Sequence, residues 1–106
     1  MQQIIVQVQM LLVALSGLLP LVREEHRGRA GEILAFAGAV LKASGALAAN
    51  ASDLARKLTD VRAEVESMAE SGRPVTAEEM EGAIARVRAA SAAFRAALEI
   101  AEGAAP

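Results

Sequence analysis

SGRPVTAEEM, residues 71–80, decides how this chain folds. Gly72 suits the left-handed conformation that ends a helix, and Pro74 cannot continue one. Thr76 then stands three residues before Glu79, the spacing of a capping box. Val75 and Met80 flank it at the positions of a hydrophobic staple. The segment reads as helix stop, tight turn, helix start, so the chain on either side of it forms an antiparallel helical hairpin.

The periodicity on both sides agrees. Upstream, Ile33, Val40, Leu47, Leu54, Val61 and Met68 recur every seven residues. Ala37, Ser44, Ala51, Leu58 and Val65 each follow four residues behind one of them. Downstream, Met80, Ile84, Val87, Ser91, Phe94, Leu98 and Ala101 alternate steps of four and three. Neither proline nor a strong turn signal interrupts 30–71. These patterns predict a long central helix over 30–71 and a last helix over 77–102, with coiled-coil-like heptad packing.

Helix lengths constrain the arrangement. At the α-helical rise, 30–71 spans about 63 Å and 77–102 about 39 Å, so the last helix reaches only residues 46–71 of its partner. The other half of the long helix, with Lys42 as its single charge between 33 and 49, also needs an apolar cover. The first helix, expected over 4–22, has the length to fold back through the polar knot Arg23-Glu24-Glu25-His26-Arg27-Gly28-Arg29 and supply it. The expected subunit is a single all-α domain: one long helix with two shorter ones laid end to end along it.

Composition excludes other classes. The chain has 106 residues, 11 Lys+Arg against 13 Asp+Glu, 25 alanines, two aromatic residues and no cysteine. This leaves no disulfide framework, no thiolate metal site and too few turn formers for an all-β fold. In the last helix, Ala83, Ala90 and Ala97 line one flank of the seam, where small side chains admit a close helix neighbour. That neighbour is expected to be another copy of the chain. Ile33, Phe36 and Val40 join these alanines as the expected packing and oligomer interface.

Chemistry is sparse. The sole histidine, His26, lacks the companion ligands of a metal site. Glu78 and Glu79 lie in a first helical turn, where the helix dipole favours them without any acid–base role. Arg23, Arg27 and Arg29 are diluted by glutamates and have no aromatic residue beside them for base stacking, so nucleic acid is not an expected partner. No catalytic residue, cofactor, metal or small-molecule substrate is expected, and the chain reads as a non-enzyme. Residues 4–22 carry no charge and approach the length of a membrane span, although Gln7, Gln9, Ser16, Gly17 and Pro20 interrupt them. A buried helix and a membrane helix are both compatible with that segment.

The stretch SGRPVTAEEMEGAIARVRAASAAFRAAL, residues 71–98, resembles the C-terminal helix of small helical proteins of phage and prophage genomes. In these a G-R-x-[VP]-T-x-E-E turn precedes the final amphipathic helix. The resemblance covers about a quarter of the chain, implies a phage setting and transfers no functional residue. The expected function is therefore that of a non-catalytic structural or assembly protein, self-associating or meeting other virion proteins, in a virion or the cytoplasm. The alternative is a small membrane-anchored protein of holin-like or lysis-accessory type, held in the inner membrane by 4–22.

Overall fold

The computed structural model describes residues 2–44, 47 and 51–103. They form four α-helices and no strand: α1 (Gln2–Leu18), α2 (Arg27–Ala43), α3 (Ser52–Glu70) and α4 (Ala77–Gly103). Pro20 tightens the end of α1 into a 3-10 turn over Leu19–Leu21, Val22 is extended, and a second 3-10 turn at Glu24–His26 leads into α2.

The turn between α3 and α4 forms as its residues dictate. Gly72 takes a φ of 66°, the Thr76 hydroxyl accepts from the Glu79 N–H at 3.1 Å, and the Glu79 carboxylate accepts from the Thr76 N–H at 3.0 Å. Val75 and Met80 are both buried. The Val75 N–H also donates to the Leu21 carbonyl at 2.9 Å, tying this turn to the one between α1 and α2. Both connections therefore sit at the same end of the molecule, which measures 49 × 21 × 18 Å.

Side-chain contacts fix the helix directions. Arg62 reaches Gln7, and Gly17 lies beside Ala69, so α1 and α3 run parallel. Arg29 faces Glu81, Glu32 faces Arg88, and the rings of Phe36 and Phe94 meet edge to face at 6.3 Å, so α2 and α4 also run parallel. Each hairpin, α1–α2 and α3–α4, is antiparallel. The closest packing is α1 on α3 and α3 on α4.

The core follows from the spacing. Ile4, Val8, Leu11, Leu15 and Leu18 turn inward from α1, and Leu54, Leu58, Val61, Val65 and Met68 from α3. The facing residues are Ile33, Ala37 and Val40 on α2, and Met80, Ile84, Val87 and Ala90 on α4.

Two expectations are corrected. The continuous helix over 30–71 is two helices. Ser44 lies in a 3-10 turn with its hydroxyl donating to the Leu41 carbonyl at 2.8 Å, Leu47 is buried in a bend, and Ala51 is non-helical at φ −86°, ψ 33°. Residues 45, 46 and 48–50 lie outside the described residues. A side-chain hydroxyl bonded to its own helix competes with the helical ladder. Breaking the helix lets α2 turn back beside α4, and each large apolar side chain buried in this way contributes about 1.5–3 kcal/mol, more than an interrupted turn costs. The end-to-end arrangement is likewise replaced: α1 lies alongside α3 through its length, and α2 is covered by α4 as well as by α1.

Candidate docking site

The six positions expected to meet a second copy, Ala83, Ala90, Ala97, Ile33, Phe36 and Val40, are all buried within the single chain. The alanine flank of α4 has its close neighbour, but that neighbour belongs to the same molecule. The exposed large apolar side chains are elsewhere: Val6, Met10 and Val13 on α1, Leu19 after it, Leu34 and Leu41 on α2, and Ile100 on α4.

α1 is apolar on two faces. Its inward seam steps by four and three from Ile4 to Leu18. A second set, Val6, Met10 and Val13, with Gly17 after it, repeats the same steps about half a turn away. Val6 is 47 % exposed, Met10 40 % and Val13 73 %. These side chains border a groove of about 430 Å³ between α1 and α3, whose other wall carries Ala69, Glu66 and Glu70. No charged side chain occurs on α1 itself.

The polar wall is ordered by one cation. Arg62 Nη1 donates to Glu66 Oε1 at 3.0 Å, and its Nε donates to Gln7 Oε1 at 2.6 Å. Arg62 is largely covered, at 20 % side-chain exposure, so this bridge fastens the first half of α1 to the middle of α3. Glu70 lies exposed at the other end of the groove. The site can bind apolar surface, and it offers no nucleophile or acid–base pair.

Residues elsewhere have structural surroundings. The side chain of His26 lies 3.7 Å from Glu25, and among the described residues no group of three or more His, Cys, Asp or Glu is placed to hold a metal. Asp53 accepts from Lys57 and Arg56 at the start of α3, and these bonds hold its carboxyl below the ordinary value. A second depression, of about 480 Å³ and bordered by Leu19, Pro20 and Leu34, lies at the turn end of α1 and α2. Val6, Met10 and Val13 were not singled out by sequence reasoning. Their spacing is the only signal, and it is hidden in an uncharged segment whose large residues are apolar except for Gln7 and Gln9.

Ile4–Leu21 is the one stretch among the described residues that is long and apolar enough to cross a membrane, and core helices pass the same test. No protein-family model, curated protein or solved structure matches the chain.

Proposed function

We propose that this is a non-catalytic assembly protein that associates with further copies of itself through the outer face of α1. The observation that carries the reading is the exposed row Val6, Met10 and Val13 on a helix without charge, beside an apolar groove. A water-facing helix normally presents charged residues there, and contiguous apolar surface marks an interaction site. The setting proposed for this assembly, on the resemblance of residues 71–98 alone, is a phage particle.

The second reading, a membrane anchor, draws on the length and composition of Ile4–Leu21. Insertion would strip Ile4, Val8, Leu11, Leu15 and Leu18 from their partners and break the Arg62–Gln7 bond. The burial of one full side of α1 favours docking over insertion.

The test is light scattering behind size exclusion, on untagged protein without detergent. The native chain elutes as a discrete multiple of 11.0 kDa. Val13→Asp, a change at an exposed position, leaves thermal stability unchanged and shifts the protein to monomer. An oligomer that survives Val13→Asp contradicts the assignment of this face, and protein recovered only from washed membranes hands the case to the anchor.

A further inference from the structure

The groove between α1 and α3 combines a narrow apolar floor with an acidic wall. Small residues make the floor: Ala14 and Gly17 of α1 lie against Ala69 of α3, so close that a Cβ placed on Gly17 would stand 3.9 Å from that of Ala69. Met10 and Val13 raise the outer rim on the α1 side. A valley this narrow admits an alkyl chain to its floor, whereas a helix, about 10 Å across, rests on the rim. The volume of about 430 Å³ suits a small molecule, and the space between bundle helices is where such sites form.

The acidic wall sets the sign of the ligand. Glu66 and Glu70 stand one turn apart on α3, and no Lys or Arg among the described residues borders the groove. Arg62 fixes Glu66 through Oε1 at 3.0 Å and is itself held by Gln7, while Oε2 takes no hydrogen bond from the described residues. Glu70 is exposed and has no ion-pair partner among them. Like charges at this spacing oppose each other, and a cation lodged beside both offsets that repulsion. We infer that the groove binds an aliphatic ammonium ion, its nitrogen beside Glu66 and Glu70 and its chain laid over Ala14 towards Met10 and Val6. From Gly17 to Val6 the wall of α1 runs about 16 Å, room for an extended chain. The assembly proposed above uses the outward rim of α1 and this site uses the floor, so neither depends on the other.

Two probes with one chain and opposite charge test the site: decyltrimethylammonium and decyl sulfate, each below its micelle concentration. They are titrated into isotope-labelled full-length protein and followed by the backbone amide signals. The ammonium saturates a single site per chain, moving the amides of Ala14, Gly17 and Ala69, and the sulfate binds about tenfold more weakly at the same place. Glu70→Lys, a change at an exposed position, lowers the affinity for the ammonium about tenfold and raises that for the sulfate. Equal affinities for the two probes overturn the proposal, as does an ammonium affinity that Glu70→Lys leaves unchanged. Shifts confined to Leu19 and Leu34, at the second depression, overturn it too. If dilution alone moves the Ala14, Gly17 and Ala69 signals and the ammonium does not, a second copy fills the groove and the site is not one for a cation.

Discussion

Gly72 and Gly82 are the same residue type under opposite demands. At φ 66°, Gly72 holds a backbone conformation that a Cβ opposes, whereas Gly82 lies inside α4 with room for one, its nearest neighbours being the ends of Arg86 and Glu64 at 3.7 Å. Gly72→Ala should cost about 1 kcal/mol and Gly82→Ala should gain about 0.5–1 kcal/mol. Paired denaturant titrations check both, and equal effects would show that neither environment governs its glycine. The cap two turns earlier carries a pH signature. The Thr76 N–H, then the Thr76 hydroxyl, hold the Glu79 carboxyl below its ordinary value of 4.5. A carboxylate depressed in the folded state contributes stability above its unfolded value, and that contribution is lost as pH falls through the lower folded one. Acid should therefore weaken the native protein more than Glu79→Gln between pH 5 and pH 3, numbers that bracket the carboxylate range by about one unit. Parallel slopes in thermal melts over that range would remove the cap from the account.

At the scale of elements, two phenylalanines hold α2 to α4. Phe36 is buried and Phe94 half-buried, with ring planes at 86°. Phe36→Ala should destabilise the fold by about 3 kcal/mol or more, and a double-mutant cycle with Phe94→Ala should return a coupling of about 0.5–1.5 kcal/mol. Chemical denaturation of the four proteins measures this, and additive losses would mean that the rings do not meet. The turn at 71–80 was legible in the sequence because its signals are local: a glycine, a proline and a three-residue cap. The break between α2 and α3 was not, because Ser44, Leu47 and Ala51 keep the heptad spacing and are buried as that spacing requires. Their periodicity told which side chains go inside, but not that the chain reverses between them. The partner of each helix was hidden for the same reason, since an alanine flank admits any close neighbour. Here that flank is covered from within the same chain.

At the scale of the molecule, the account turns on α1. Apart from Gln7 and Gln9, every large residue from Ile4 to Val22 is apolar, so the sequence alone does not separate the inward seam from the outward row. The fold separates them by setting Val8 and Leu11 against α3 while Val13 faces solvent. If α1 is a member of the bundle, its outer face is the free surface; if it is an anchor, the remaining three helices must hold together without their closest partner pair. Native-state hydrogen exchange in detergent-free buffer distinguishes these most directly. The bundle predicts that the amides of Val8, Leu11 and Leu15 are protected to the same degree as those of Leu58, Val61 and Val65, in the native protein and in Val13→Asp alike. Fast exchange in α1 beside a protected α3–α4 hairpin, or protection of α1 that appears only on adding detergent, would contradict it.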